Sequence, residues 1–150
     1  LPIIIDEKSI LENDDFVPFK ALNNAPLAMT AHAIYEKFDK NNVATLSKTM
    51  ITEIIRSKIG FKGTLMTDDV SMKALSGDVG TNSLLALQAG CDLVLHCNGN
   101  FDEICQIADK ISMLNLISID PTLLDVLRTK KSLNLGEITS ELTHILSKLS

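Results

Sequence analysis

Two adjacent carboxylates, Asp68 and Asp69, are the side chains of this sequence best placed to carry out chemistry. They follow the apolar run 63–66, which predicts a short buried strand, so they stand where a strand ends and its loop begins. At that position in an α/β barrel, an acidic side chain can serve as a catalytic acid. Asp69 can cap a helical turn predicted over 71–75, whereas Asp68 has no evident structural role.

Polar side chains also end two other predicted strands. His32 follows the apolar run 27–31, and His96, with Asn98 close behind it, ends the run 91–97. Parallel strands joined by right-handed crossovers point the same way, so their carboxyl ends share one rim. We therefore expect these groups and the aspartate pair to form the floor of one pocket, although a histidine after a strand can also be a hydrogen-bonded structural residue.

The same strand ends allow a different class of enzyme, a metal-dependent hydrolase. Mixed carboxylate and imidazole ligands suit several divalent ions, and Asp68, Asp69, His32 and His96 are of these types. Their spacing across three separate strands gives no specific metal-binding signal, so the sequence supports this class only as an alternative.

The elements that must position these groups alternate along the chain as strand and helix. Each predicted strand is a continuous apolar run, which is typical of a parallel sheet covered on both faces. Segment 1–5 is expected to be a strand or an extended lead-in, and 33–46 mostly loop. Helices are predicted from Asp14 or Asp15 to Asn23, from the cap Ser47 to Gly60, from Thr81 or Asn82 to Gly90, from Asn100 or Asp102 to about Leu114, from Asp120 onward, and from Thr139 or Ser140 to about Leu149.

Composition limits the class of protein. The chain has 150 residues, of which 45% are hydrophobic and 22% charged, with a net charge of -5 and a mean hydropathy of +0.19, as in soluble globular proteins. No cluster of Lys and Arg marks a nucleic-acid partner, and no apolar run reaches the ~18 residues of a membrane span. Cys91, Cys97 and Cys105 lack disulfide or metal-binding spacing, which favours free thiols in a reducing, cytoplasmic compartment.

A longer pattern surrounds the aspartate pair. Its members are two aliphatic residues, a basic residue, a glycine, an apolar run, a hydroxyl residue, an aspartate and a small residue: Ile54, Ile55, Arg56, Gly63, residues 64–66, Thr67, Asp68 and Ser71. This pattern resembles the active-site segment of glycoside hydrolase family 3, and within it the bacterial β-N-acetylglucosaminidases that recycle cell wall. The likeness covers about residues 10 to 110, with further matching runs at 17–19, 29–32, 68–73 and 89–92.

The resemblance implies a TIM (β/α)8 barrel, of which residues 1–150 would be only the C-terminal part, a partial catalytic domain of the family's N-terminal type. A complete barrel needs about 250 residues, and about three β/α units plus terminal helices are recognisable here. We therefore expect open strand edges at 27–31 and 91–97, and inward-facing Met29, Leu65 and Val94 that lack partners across the barrel. Such a chain is predicted to self-associate or to be poorly soluble.

Members of the family are retaining glycosidases, and the resemblance implies that Asp68 is the nucleophile. His32, Asp69 and Met72 are then expected to bind the substrate, which is terminal N-acetylglucosamine on the 1,6-anhydro-muropeptides of peptidoglycan recycling. Nucleophilic attack on the anomeric carbon needs no cofactor and no metal. The expected partners are this small sugar and, for a split enzyme, the N-terminal half of the barrel.

One part of the family pattern is missing. The acid/base of these enzymes is a His–Asp dyad on a His- and Gly-rich loop, which the family places just upstream of a segment like 1–6, and no such loop occurs here. His32 with Glu36 is the internal pair closest to that dyad in composition. The chain alone is therefore expected to be inactive, and the alternatives are half of a split enzyme or a non-catalytic remnant that keeps the fold.

Overall fold

The larger of two parallel sheets carries the aspartate pair. The computed structural model describes residues 1–112 and residue 114. In it, strands β2 (Leu27–Met29), β4 (Thr64–Asp69) and β5 (Leu93–Leu95) lie side by side, with β4 in the centre. A second pair joins β1 (Ile3–Ile4) to β3 (Ile34–Tyr35). Every pairing among these strands is parallel, which confirms the predicted α/β class.

Helical segments connect the strands, as the alternating pattern predicts. None of those in the described part of the chain is long and apolar enough to cross a membrane. The helices predicted from Asp120 and from Thr139 or Ser140 lie outside the described residues. The segments are α1 (Lys8–Ile10), a π-helix (Leu11–Asp15), α2 (Val17–Ala21), a 3₁₀-helix (Ala44–Leu46), a second π-helix (Met50–Ile59), α3 (Val79–Ala89) and α4 (Phe101–Ile111).

Several residues predicted to start or end helices occupy those positions. Ser47 Oγ accepts the backbone N–H of Met50 at 3.1 Å, and the side chain of Asn100 accepts two N–H groups in the first turn of α4. Gly60 and Gly90 take φ values of +80° and +119°, which residues with a Cβ rarely adopt, and they end the helices before them. These ends are set by local chemistry alone.

The first helical segment starts at Lys8 rather than at the predicted Asp14 or Asp15. The reason is the burial of Leu11, which is only 1% exposed. Because Leu11 packs into a buried cluster, residues 8–13, which precede the aspartates, are also helical. The cluster around it consists of Phe16, Ala44, Met50 and Ile54.

Helix α3 also starts earlier than predicted. Asp78, rather than Thr81 or Asn82, is its N-cap, because the Asp78 carboxylate accepts the backbone N–H of Thr81 at 2.8 Å. Asp78, Thr81 and Asn82 are all residue types that can cap a helix, and the structure uses the Asp78 carboxylate as the N-cap of α3. The error moves the start of the helix by one turn without changing the order of elements.

The segment predicted as loop, 33–46, contains β3 and the 3₁₀-helix. β3 has only two residues and pairs with β1, and the N–H of Ala44 bonds to the carbonyl of Ala33 at 2.8 Å. These short pieces leave no periodic apolar signal in the sequence. The 3₁₀-helix contains Thr45, which is fully buried at 0% exposure.

Strand β4 buries alternate side chains, because successive residues of a strand point to opposite faces. Leu65 and Thr67 are buried, whereas Thr64, Met66 and Asp68 are half-buried. The buried set faces the helices. Its apolar neighbours there are Ile51, Phe61, Ala86, Ala89 and Cys91.

The predicted set of inward-facing residues is wrong for two of its three members. Leu65 lies on the helix side at 1% exposure, and Val94 packs against a second cluster on the helix side, whereas Met29 exposes 53% of its surface. In the part of the chain that the structure describes, helices therefore cover one face of the sheet rather than both. The second cluster consists of Val43, Val70, Leu75 and Ile107.

Arg56 ties its helix to the amino ends of β4 and β5. Its guanidinium donates to the carbonyl of Gly63 at 2.7 Å and to Asp92 Oδ2 at 2.6 Å, and the same oxygen accepts the backbone N–H of Leu65 at 2.7 Å. A Cβ at Gly63 would lie 2.4 Å from the carbonyl oxygen of Ala25, so only glycine fits there. These members of the motif secure the end of the sheet opposite to the aspartate pair.

Candidate active site

A bulge in β4 determines how the aspartate pair is presented. Met66 is paired with Leu93 and Asp69 with Leu95, so β4 advances three residues where β5 advances two. The N–H of Leu95 is accepted by the side-chain oxygen of Thr67 at 2.9 Å. Bulges bend a strand and re-aim its side chains, and they are common beside active sites. This bulge lies at the aspartate pair itself.

Asp68 stands half-buried at the carboxyl end of the central strand. Its backbone N–H donates to Thr30 Oγ1 at 3.3 Å, and its Oδ1 accepts the backbone N–H of Asp69 at 2.8 Å. Its Oδ2 forms no hydrogen bond with any residue that the structure describes. The Asp68 carboxylate therefore has a fixed backbone and one oxygen available at the rim.

Asp69, in contrast, is tied into the turn that follows the strand. Its Oδ1 accepts the N–H and the hydroxyl of Ser71 at 3.0 and 2.8 Å and the N–H of Cys97 at 3.2 Å. Burial tends to raise the pKa of this carboxyl, but the bonds from Ser71 and Cys97 together with nearby His96 lower the pKa below its usual value. Asp69 therefore orients the turn, as predicted, and its predicted contact with substrate stays a prediction.

His32 is only 4% exposed, and both of its ring nitrogens contact protein atoms. Nδ1 lies 2.8 Å from Thr45 Oγ1, and Nε2 lies 2.9 Å from the carbonyl oxygen of Asp69. The ring offers no free nitrogen to a sugar, so the prediction that His32 binds substrate gains no support from this geometry. His32 and Glu36, the pair closest to the family's dyad in composition, are not hydrogen-bonded to each other, because the ring nitrogens contact Thr45 and the Asp69 carbonyl instead.

Two buried threonines complete the surroundings of the aspartate pair, and sequence reasoning gave neither a role. Thr30 Oγ1 and Thr45 Oγ1 lie 2.9 Å apart, and the two residues are 5% and 0% exposed. Thr45 lies in the segment predicted as loop, so no pattern indicated its burial. For Thr30 the available signal was its position inside the predicted strand 27–31, two residues before His32.

His96 lies at the same rim, with its side chain 7% exposed. Its Nε2 is 2.8 Å from Glu103 Oε2, which also accepts the side-chain N–H of Asn98 at 2.7 Å. The bond from His96, followed by that from Asn98, lowers the pKa of Glu103 below its usual value, while nearby Asp69 acts in the opposite direction. Sequence reasoning missed Glu103, although a position in the first turn after the cap Asn100 would have placed it beside the strand end.

Met72 lies in the turn that follows the aspartate pair and is 44% exposed. It lines a cavity of about 340 Å³ between this turn and the helices α3 and α4. Asp68 does not line that cavity, so the predicted contact of Met72 with substrate stays a prediction. Polar residues that line it include Lys73, Asn82, Glu103 and Gln106.

The strand ends that were expected to share a rim do meet. The His32 ring contacts the Asp69 carbonyl, and the N–H of Cys97 contacts the Asp69 carboxylate. They do not form a metal centre: among residues 1–112 and 114, no group of three or more His, Cys, Asp or Glu side chains could hold a metal ion. The metal-dependent alternative therefore has no ligand set in the described part of the chain.

Known proteins are similar to this chain in sequence. A family model described as the glycosyl hydrolase family 3 N terminal domain matches residues 1–129. The β-hexosaminidase of Alkalilimnicola ehrlichii is 40% identical over 95 residues, which is 61% of this chain and 27% of the relative. The β-hexosaminidase of Actinobacillus succinogenes is 35% identical over 139 residues, which is 87% of this chain and 40% of the relative. The chain thus spans between about a quarter and two fifths of these curated relatives.

A solved structure is similar as well. NagZ from Neisseria gonorrhoeae in complex with N-trifluoroacetyl-D-glucosamine is 32% identical with a TM-score of 0.63, and the match covers 73% of this chain and 32% of that chain. The parallel sheet with helices between its strands agrees with the TIM-barrel-type fold that the family implies. The chain belongs to glycosyl hydrolase family 3, and its residues 1–129 correspond to the N-terminal domain of that family.

Proposed function

We propose that this chain carries the nucleophile of a retaining β-N-acetylhexosaminidase that releases terminal N-acetylglucosamine from 1,6-anhydro-muropeptides during peptidoglycan recycling in the cytoplasm. The observation that carries this proposal is the position of Asp68, half-buried at the carboxyl end of the central strand and with its Oδ2 unengaged by described residues. Membership of the family supports the reaction class, and the names of the relatives support the kind of sugar.

The reaction needs a carboxylate that reaches the anomeric carbon. In a retaining mechanism, an oxygen of Asp68 attacks that carbon, the aglycone leaves, and the resulting glycosyl ester is cleaved by water. Asp69 is not a second nucleophile, because Ser71 and Cys97 bind its oxygens. The Asp69 carboxylate instead orients the turn that contains Met72, and the contact of Met72 with the sugar remains part of the proposal.

The kind of sugar is inferred from a relative. The Neisseria gonorrhoeae structure contains an N-acylated glucosamine, N-trifluoroacetyl-D-glucosamine. We extend that class of ligand to this chain because the two are 32% identical over 73% of it. The anhydro-muropeptide part of the substrate rests on the sequence resemblance alone.

Another polypeptide segment must supply the acid/base. A retaining enzyme needs this group roughly 5–5.5 Å from the nucleophile, and residues 1–150 contain no His- and Gly-rich loop of the family's kind. We therefore propose that residues 1–150 form the C-terminal part of the barrel and that the remaining β/α units complete the site. The chain alone then has no glycosidase activity.

The test joins this chain to the N-terminal part of the Actinobacillus succinogenes relative and measures turnover of an aryl N-acetylglucosaminide. Asp68→Asn should lower turnover by at least about a thousandfold, because an amide does not attack the anomeric carbon. The matched control is Asp109→Asn on the exposed side of α4, which should leave turnover unchanged.

Two results would count against the proposal. If Asp68→Asn retains turnover, Asp68 is not the nucleophile. A hybrid that folds cooperatively and yet shows no turnover would favour a non-catalytic remnant that keeps the fold.

A further inference from the structure

We infer that His32, together with Thr45 and Thr30, positions the two-residue segment that bears the Asp68 carboxylate, an inference that rests on the proposed role of Asp68. A continuous series of hydrogen bonds runs through these three side chains. It starts at the N–H of Asp68, passes Thr30, Thr45 and His32 at 3.3, 2.9 and 2.8 Å, and ends at the carbonyl of Asp69 at 2.9 Å. The segment is therefore held at both of its ends.

The direction of each bond follows from the groups involved. The carbonyl of Asp69 can only accept, so His32 Nε2 carries a hydrogen. Thr30 Oγ1 accepts the N–H of Asp68, and its own hydroxyl hydrogen is free to point to Thr45 Oγ1. Thr45 in turn donates to the unprotonated Nδ1 of a neutral His32. Every donor and acceptor in the series is then satisfied.

A charged His32 would reverse part of the series. Nδ1 would then donate to Thr45 Oγ1, whose hydrogen would go to the more distant carbonyl of Ala31 at 3.2 Å. This arrangement would bury a positive charge in a ring that is 4% exposed and that forms no ion pair among the described residues. Burying an unpaired charge is costly, so the neutral ring with hydrogen on Nε2 is favoured.

The segment needs this support because pairing with β2 ends before it and pairing with β5 is interrupted by the bulge. On the β2 side, the backbone bond from Thr30 to the carbonyl of Met66 at 2.9 Å precedes the bulge, and on the β5 side the register shifts. Beyond that point, Asp69 still pairs with Leu95 of β5, whereas on the β2 side the side chains of Thr30, Thr45 and His32 hold the segment where strand pairing has ended. Their burial keeps out water that would compete for the same bonds.

The first test is spectroscopic and needs no activity. Long-range ¹H–¹⁵N correlation spectra of the hybrid enzyme, which contains the whole chain, report which nitrogen of His32 is protonated. The inference predicts hydrogen on Nε2 and none on Nδ1. Hydrogen on Nδ1 alone, hydrogen on both nitrogens, or rapid averaging of the two forms would overturn it.

The second test removes one hydroxyl from the middle of the series. In the hybrid enzyme, Thr45→Val should lower kcat by about tenfold to a hundredfold at an unchanged KM, because a misplaced nucleophile loses rate rather than affinity. Thr45→Ser keeps the hydroxyl and should restore kcat. Thr52→Val, which removes an exposed hydroxyl bonded to the carbonyl of Lys48, is the matched control with unchanged kcat.

The outcomes separate this inference from the function on which it rests. If Asp68→Asn retains activity, the proposed function of Asp68 as the nucleophile is wrong. Loss of activity in Asp68→Asn, combined with an unchanged kcat in Thr45→Val, overturns the inference alone. If Thr45→Val does not fold, the tautomer of His32 in the unsubstituted protein still decides the question.

Discussion

The two neighbouring aspartates differ in their hydrogen-bond partners. Asp68 keeps Oδ2 free of the described residues, whereas both oxygens of Asp69 accept bonds from the hydroxyl of Ser71 and Oδ1 also accepts the N–H of Cys97. Two unpaired carboxylates this close would disfavour each other's ionised form. The bonds to Asp69 stabilise its charge, so a reactive and a structural carboxylate can stand side by side.

The lowered pKa of Asp69 predicts how acid affects stability. Since the pKa in the folded state lies below the unfolded value of about 3.9, the ionised carboxylate stabilises the fold above that pH, and this contribution is lost as the pH falls through the folded pKa. Asp69→Asn should therefore reduce the free energy of unfolding near neutral pH, and its difference from the unsubstituted chain should narrow below about pH 4.

Urea titrations of the two proteins across this pH range measure that difference. Asp109→Asn, an exchange of the same type on the exposed side of α4, is the control and should change the free energy of unfolding little at any pH. A difference between Asp69→Asn and the unsubstituted chain that is constant with pH, or larger in acid, would contradict the assignment of Asp69 as a stabilising carboxylate.

At the scale of elements, the amino end of the sheet depends on Asp92. Its Oδ2 accepts hydrogen bonds from the Arg56 guanidinium and from the backbone N–H of Leu65, at 2.6 and 2.7 Å. Leu65 lies in β4 and is 1% exposed. The half-exposed ion pair alone contributes little. The bond to the strand matters more, because a buried N–H left without an acceptor is costly.

Substitutions at Asp92 separate these two contributions. Asp92→Ala removes the acceptor and should lower the free energy of unfolding by about 1–3 kcal/mol. Asp92→Asn keeps a side-chain oxygen for the Leu65 N–H and should lose less than half of that amount. Chemical denaturation followed by circular dichroism checks both values, and equal losses in the two variants would show that the charge, rather than the acceptor, matters.

Features with a local chemical cause could be predicted from the sequence. Ser47 begins its helix and Gly60 ends it as predicted, and the aspartate pair stands at a strand end as expected. The bulge in β4, the β1–β3 pairing and the burial of Thr45 could not be predicted, because each depends on how segments far apart in the chain align. The contact between His96 and Glu103 is different, because it joins a strand end to the first turn of the next helix, and the cap Asn100 was a local signal for it.

At the scale of the whole molecule, the main structural feature of the described residues is a sheet with one face that no helix covers. In the described part, helices pack on the side of Leu65 while Met29 on β2 is 53% exposed, and β2 and β5 are the edge strands of their sheet. Exposed strand edges and apolar patches are sites of association. In the proposed enzyme, the remaining barrel units cover them.

We therefore predict that the isolated 150-residue chain self-associates and that Met29→Lys weakens this association, because a charge then lies on the exposed face. Leu85→Lys places the same charge on α3, at a leucine that is 43% exposed, and should have a smaller effect. Sedimentation velocity at several protein concentrations measures the association. A compact monomer of the unsubstituted chain at every concentration, or an equal response to both substitutions, would contradict the prediction.

Covalent trapping tests the role of Asp68 most directly. The hybrid enzyme is treated with a fluorinated N-acetylglucosaminyl donor, which slows hydrolysis of the glycosyl ester, and the labelled peptide is identified by mass spectrometry. We predict that one sugar is attached to the Asp68 side chain and that Asp68→Asn prevents labelling. A sugar attached to Asp69 or to any other residue would contradict the assignment of the nucleophile.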